Sequence, residues 1–169
     1  MDLLQMIKQD HDDVRNLVSQ FSQATKVADR RELFGKVKVA LQVHTQLEDQ
    51  YLYPEVEGLF SGSELFVDAS MANHRSMKRL MNEIAKSLKL PVAEQDSLPS
   101  KIKKLGDIIE SHLRLEEDQM MPKVRVLIST QDREDLGEVF QEVREEWRKN
   151  PSLLAESSGA KSKAKRKRA

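Results

Sequence analysis

The chain contains the stretch His44-Thr-Gln-Leu-Glu48-Asp49-Gln-Tyr51-Leu-Tyr53-Pro54-Glu-Val56, and it repeats this pattern further on as His112-Leu-Arg-Leu-Glu116-Glu117-Asp-Gln119-Met-Met-Pro122-Lys-Val124. His, Leu, Glu and Pro keep the same spacing in both copies. The chain has only four histidines, and the other two, His11 and His74, each precede one copy. The order is therefore His, HxxxE, His, HxxxE, and every imidazole belongs to one repeating pattern.

These six side chains suit the binding of two metal ions. In each HxxxE pair the carboxylate lies one helical turn from the imidazole and on the same face, so one helix can offer two ligands. Four neutral imidazoles and two carboxylates suit first-row transition metals. The symmetry predicts two His per metal. Glu48 and Glu116 could then bridge the ions, which two carboxylates can do when metals lie roughly 3.5–4 Å apart.

The spacing of apolar residues predicts an all-α fold, an up-down-up-down four-helix bundle with an additional C-terminal helix. Apolar side chains recur at intervals of three and four residues in four segments. These begin at Asp2, near Asp29, at Ser61 and near Ser97 to Pro99. The probable turns lie midway between successive histidines, so the bundle should bring all four histidines into one layer. A fifth amphipathic segment, residues 130–149, should pack across one end of the bundle.

Length and composition favour one domain. We assign residues 1–149 to it, and residues 150–169 to a disordered basic tail. The chain has no cysteine, so any metal must be held by nitrogen and oxygen ligands. It begins without a signal-like segment and has no apolar run long enough to span a membrane, so we expect a cytoplasmic protein. From residue 151 onward the tail carries six Lys or Arg against one Glu, so it is the one segment through which nucleic acid could bind.

Two further polar side chains lie seven residues after the repeat histidines. In regular helices this spacing places Tyr51 and Gln119 on the ligand face, two turns along, where they could hydrogen-bond a metal-bound oxygen species. A Tyr that only fills the core is an equally good interpretation. Pro54 and Pro122 are expected to kink or end the helices just past the site.

The ordered motifs resemble the hemerythrin-like HHE cation-binding domain family over about residues 1–149. The motifs that carry the resemblance are His11, His44-xxx-Glu48, His74, His112-xxx-Glu116 and the Leu-Tyr-Pro element at residues 52–54. The resemblance implies a four-helix bundle with a non-haem di-iron centre, bridged by an oxo or hydroxo group and two carboxylates. Manganese and zinc are less favoured. Ferritin-like bundles use Glu-x-x-His, and no His here has a Glu three residues before it.

The chain departs from the oxygen-carrying hemerythrins on two helices. Those proteins have HxxxH on the third helix, whereas Lys78 stands four residues after His74 here. They also have HxxxxD on the fourth helix. This chain offers Glu116 four residues after His112 and Glu117 five residues after it. We favour Glu116 because it matches Glu48, with Glu117 as an alternative ligand.

The missing histidine should leave an additional coordination position, which makes reversible oxygen carriage doubtful. The leading hypothesis is a di-iron protein that binds, senses or detoxifies O2, NO or peroxide. Peroxide disproportionation is the specific enzymatic hypothesis. The alternative is an iron-responsive regulatory module whose metal occupancy controls folding and the binding of a protein partner. A third class is a nucleic-acid-associated protein tethered by its basic tail.

Overall fold

The computed structural model describes residues 1–150 and 152–153, and these residues form helices joined by short connections. The tail that we expect to be disordered lies outside the described residues from 154 onward. In the described part of the chain no residue is in a strand. The α-helices are α1 (Leu3–Gln23), α2 (Val27–Leu47), α3 (Tyr53–Val56), α4 (Ser63–Ser87), α5 (Leu98–Leu115), α6 (Met121–Leu127) and α7 (Thr130–Lys149).

The predicted bundle is confirmed, and the helix ends follow local chemistry. Asp2 caps α1, because its carboxylate accepts a hydrogen bond from the Leu4 amide at 2.8 Å. Gly62 precedes α4 with a φ of 86°, a left-handed conformation that favours glycine. Ser129 caps α7 by accepting a hydrogen bond from the Asp132 amide. Helices α2 and α4 begin within two residues of the predicted positions.

The two HxxxE helices change pitch just after their histidines. The first π-helical turn, Glu48–Leu52, joins α2 to α3, and the second, Glu116–Met120, joins α5 to α6. Each π turn accommodates one residue more than an α-helical turn would. Pro54 and Pro122 lie in the first turn of α3 and of α6, where the missing N–H leaves no hydrogen bond unmade. The helical path therefore continues past the site after the π turn, and the prolines do not end it.

The apolar core consists of two clusters. One lies at the end of the bundle where α1 begins and α2 ends, and it contains Leu3, Ile7, Leu47, Leu52 and Val124. The other fills the opposite end, with Val14, Leu41, Met77, Ile84 and Ile109. Along α1, His11 falls between Ile7 of the first cluster and Val14 of the second. A polar layer thus separates the two halves of the core.

Helix α7 packs against α1 and α2 at the first of these ends, as the sequence predicts. Leu136, Phe140 and Trp147 bury their side chains in the first apolar cluster. Gly137 allows α7 to approach the N-terminal residues closely, because a Cβ atom at this position would lie 2.1 Å from the Met1 carbonyl oxygen. Arg133 of α7 also donates a hydrogen bond to Asp2 at 2.8 Å.

In the part of the chain that the structure describes, no helix is both long and apolar enough to cross a membrane.

Candidate metal centre

The four histidines meet in one layer, as their spacing predicts. The ring centroids of His11 and His44 lie 5.1 Å apart, those of His44 and His112 6.0 Å, and those of His74 and His112 4.6 Å. None of the four is more than 7% exposed. Each imidazole comes from a different helix, α1, α2, α4 or α5, so the layer exists only in the folded bundle.

Glu48 and Glu116 complete this layer, and both are fully buried. The layer contains two overlapping sets of candidate ligand atoms, each set within a 4.8 Å span. The first comes from His11, His44, Glu48 and Glu116, and the second from Glu48, His74 and His112. Glu48 belongs to both sets. The structure thus brings together all six side chains proposed from the sequence, with one carboxylate between two groups of imidazoles.

The contacts of His11 and His74 determine which ring nitrogen faces inward. The Nδ1 atom of His11 lies 2.9 Å from Glu117 Oε1, and the Nδ1 atom of His74 lies 2.8 Å from Asp49 Oδ1. An ionised carboxylate only accepts hydrogen bonds, so each Nδ1 must carry the proton. In the neutral ring, Nε2 then presents a lone pair to the centre.

The inward-facing nitrogens lie close to other candidate ligand atoms. His11 Nε2 lies 3.1 Å from Glu116 Oε2, and His74 Nε2 lies 3.1 Å from His112 Nε2. His44 Nε2 and both oxygens of Glu48 are buried without a hydrogen-bond partner among the described residues. Buried acceptors that face one another are costly unless a proton or a cation lies between them. The donor set therefore fits a pair of metal ions bound by nitrogen and oxygen.

Burial sets the protonation of the centre. It lowers the pKa of His112 to about 4 and that of His44 well below its ordinary value, so both rings are neutral at pH 7. Burial also raises the pKa of Glu48 well above its ordinary value, and the neighbouring Glu116 carboxylate adds to this rise. Burial acts in the same direction on Glu116, but His112 and His11 reverse the shift and lower its pKa. Burial thus favours neutral rings at His44 and His112 and the protonated form of Glu48.

Tyr53 is a polar neighbour of the centre that the sequence analysis missed. Its hydroxyl donates a hydrogen bond to Glu116 Oε1 at 2.7 Å and lies 3.4 Å from His74 Nε2. Its ring stacks on His74, with centroids 5.6 Å apart. Burial raises the pKa of the Tyr53 hydroxyl, which keeps its proton at neutral pH. The side chain therefore offers one O–H donor at the edge of the second ligand set.

The structure places neither Tyr51 nor Gln119 beside the centre, and for Tyr51 the alternative interpretation, a Tyr that only fills the core, agrees with the structure. The Tyr51 ring packs against Phe140 of α7, with centroids 6.3 Å apart, and Gln119 is exposed. The prediction assumed regular helices, but the π turns rotate every residue after Glu48 and Glu116 relative to the ligand face. The sequence does contain a signal for Tyr53. This residue directly precedes Pro54, and Pro54 is one of the residues that the two repeats share, with Pro122 as its match.

The structure shows where the residues lie that differ from those of the oxygen-carrying hemerythrins. Lys78 is exposed, so α4 contributes His74 alone to the layer. Glu116 lies inside the centre and is fully buried, whereas Glu117 contacts the outer nitrogen of His11. The favoured choice of Glu116 over Glu117 therefore agrees with their placement.

A helical bundle with a buried layer of His and Glu defines a cation-binding protein, and comparison with known families identifies the group. The chain belongs to the hemerythrin HHE cation-binding domain family, whose model matches residues 2–124.

A relative described as a DNA nickase from Nostoc sp. (strain PCC 7120) is 27% identical over 143 residues. The match covers 83% of this chain and 38% of that relative. The chain thus spans well under half the length of this curated relative. No solved structure matches the chain.

Proposed function

We propose that the chain is a cytoplasmic non-haem di-iron protein that binds, senses or detoxifies a small ligand, O2, NO or peroxide. The observation that carries the proposal is the pair of overlapping ligand sets that share the buried Glu48. Imidazole and carboxylate donors suit iron, although manganese and zinc accept the same ligands. When bound, iron would supply Lewis acidity and redox chemistry.

The two ligand sets are unequal, and this inequality favours a small exogenous ligand. The set formed by His11, His44, Glu48 and Glu116 has four protein donors, whereas the other set has three. An open coordination position is typical of sites that bind a substrate or a ligand. The Tyr53 hydroxyl lies beside the smaller set, 3.4 Å from His74 Nε2. Tyr53 could donate a hydrogen bond to a ligand that enters there only by releasing Glu116, which accepts its single proton in the structure.

Burial limits the size of that ligand. His11, Glu48, His112 and Glu116 are fully buried. A surface groove of about 870 Å³ beside α1 and α6 is lined in part by Glu117, which contacts His11. The groove therefore comes within one side chain of the centre. The burial of the centre therefore favours a ligand as small as a diatomic molecule or a peroxide.

The first test is the metal content of freshly purified protein, paired with an absorption spectrum before and after dithionite and then peroxide. We expect about two irons per chain and a near-ultraviolet charge-transfer band that dithionite bleaches. In His44→Ala or His112→Ala most of the metal should be lost while the helical content remains. The exposed Glu83→Ala on α4 is the control and should keep the metal. Full metal retention in both histidine variants would refute the proposal.

A regulatory role is a second candidate, and the polar layer between the two apolar clusters favours it. The buried acceptors of this layer repel one another in the metal-free protein, and a metal ion would remove that cost. Because the ligands come from four helices, metal binding would be coupled to folding. Metal occupancy could then control a surface that a protein partner recognises. Loss of helical structure on chelation, measured by circular dichroism, would favour this role over ligand turnover.

We do not propose the nickase activity of the relative for this chain, which covers 38% of that relative. The candidate centre is buried and presents no surface to a DNA phosphodiester. The remaining route to nucleic acid is the basic tail, residues 157–169. Salt-sensitive retention of DNA that disappears when this tail is deleted would support that route.

A further inference from the structure

The acid that follows each repeat Glu contacts a histidine on another helix. In the first repeat Asp49 follows Glu48, and its Oδ1 lies 2.8 Å from Nδ1 of His74 on α4. In the second repeat Glu117 follows Glu116, and its Oε1 lies 2.9 Å from Nδ1 of His11 on α1. His11 and His74 are the two histidines outside the HxxxE pairs. The same arrangement therefore occurs twice, once after each HxxxE motif.

The π turns make these contacts geometrically possible. Asp49 and Glu117 are each the second residue of a π turn. The preceding Glu points into the centre, so its neighbour points to the side, toward the adjacent helix. His11 and His74 use different ring nitrogens for the two contacts, Nδ1 for the outer acid and Nε2 for the centre.

We propose that Asp49 and Glu117 are positioning residues of the metal centre, which hold His74 and His11 in the tautomer and ring orientation that direct Nε2 at the metal. The proposal rests on the di-metal function proposed above. A carboxylate that accepts the outer N–H of a ligating His fixes its orientation and strengthens it as a donor. Replacement of such residues typically lowers metal affinity about 10–100-fold. Neither residue would itself contact the ion.

The two positioning contacts differ in their surroundings. Arg15 donates two hydrogen bonds to Glu117, from Nη1 to Oε1 at 2.7 Å and from Nη2 to Oε2 at 3.1 Å. Arg15 also donates a hydrogen bond to Glu110 at 2.8 Å. Among the described residues no Lys or Arg forms an ion pair with Asp49. Glu117 therefore accepts hydrogen bonds from two neighbours, Arg15 and His11. Asp49 has no such cationic neighbour, so an uncharged amide at position 49 can still accept a hydrogen bond from His74.

This difference predicts how amide substitutions behave. In Asp49→Asn the amide oxygen can still accept the Nδ1 proton of His74, so the ring should stay in place. In Glu117→Gln one orientation places the amide NH2 group against the Arg15 Nη2 donor, and the other places it against His11. No orientation satisfies both neighbours. Asn should therefore rescue position 49 better than Gln rescues position 117.

The test is a titration of the metal-free protein with Co²⁺, followed by cobalt absorption and by equilibrium dialysis. Asp49→Ala and Glu117→Ala should each bind one ion as tightly as the wild type does and the other about 10–100-fold more weakly. Asp49→Asn should bind this ion more tightly than Asp49→Ala does, and it should lose less affinity than Glu117→Gln. Asp118→Ala is the matched control, because Asp118 is an exposed acid in the same π turn as Glu117.

A second readout does not depend on metal. Long-range proton–nitrogen NMR of the metal-free protein should find the proton on Nδ1 of His11 and His74, and Asp49→Ala should change this pattern for His74 alone. Two tightly bound ions in both alanine variants, with unchanged tautomers, would overturn the positioning role while leaving the di-metal function intact. If the wild type itself binds no cobalt, the di-metal function and the positioning role both fail.

Discussion

Replacing Gly137 by Ala should loosen α7 from the bundle, although alanine is the better helix former. The added Cβ would lie 2.1 Å from the Met1 carbonyl oxygen and 3.2 Å from the Leu3 nitrogen. Because ordinary contacts between heavy atoms lie near 3.5 Å, the helix or the N-terminal segment must move by about 1 Å or more. Overpacking of this kind costs about 1–3 kcal/mol. The gain in helix propensity offsets only about 0.5–1 kcal/mol of this cost.

Gly35 provides a matched control in α2. A Cβ atom there meets nothing within 4 Å, so Gly35→Ala should stabilise the protein by about 0.5–1 kcal/mol. The two Gly-to-Ala changes should therefore have opposite signs in urea unfolding. Trp147 is the single tryptophan, and it is buried at the α7 contact, so its fluorescence should shift to the red in Gly137→Ala. Equal stabilisation by both changes, with unchanged fluorescence, would refute the close approach of α7 to the N-terminus.

Two further predictions concern side-chain hydrogen bonds. Tyr53→Phe should destabilise the metal-free protein by about 1.5–3 kcal/mol in urea unfolding, because it removes a buried hydrogen bond to the charged Glu116. The Tyr51→Phe control should change little, and an equal loss in both variants would contradict the assignment. Burial raises the pKa of Asp2, but hydrogen bonds from Arg133 and the Leu4 amide reverse the shift, so the net pKa is lowered. Its stabilisation is therefore present above the unfolded pKa of about 3.9 and is lost as the pH falls through the folded value. Asp2→Asn keeps the helix cap but loses the charge, so its melting temperature should lie below that of the wild type at pH 7, and the difference should shrink as the pH falls below about 3.9. A constant difference across this range would contradict the ionic role of Asp2.

The helices could be predicted from the sequence because their apolar stripes and capping residues agree. Asp2, Gly62 and Pro99 each stand at or near a predicted start, and each has the conformation expected of its residue type. The meeting of the histidines in one layer followed from their spacing along the chain. Short connections force neighbouring helices to run antiparallel, so residues equally far from a turn lie side by side. These features depend on local spacing, which a sequence records directly.

The surroundings of the centre could not be predicted in the same way. A π turn shifts the phase of a helix by one residue, and the spacing of apolar residues before Glu48 gives no sign of it. The tyrosine hydroxyl that lies beside the ligand side chains is therefore that of Tyr53 and not that of Tyr51. The outer contacts of His11 and His74 join residues far apart in the chain, so they depend on how the helices pack.

The shared position of Glu48 has a consequence for a chain without cysteine. Glu48 precedes the Gly58 to Gly62 connection, and His74 and His112 follow it. The other ligand set likewise joins His11 and His44, which precede this connection, to Glu116, which follows it. An ion in either position would thus cross-link the segments on the two sides of the connection. Unlike a disulfide, such a cross-link would stabilise the folded chain by binding to it and would not restrict the unfolded chain; chelation would remove it, and no oxidant would be needed to form it.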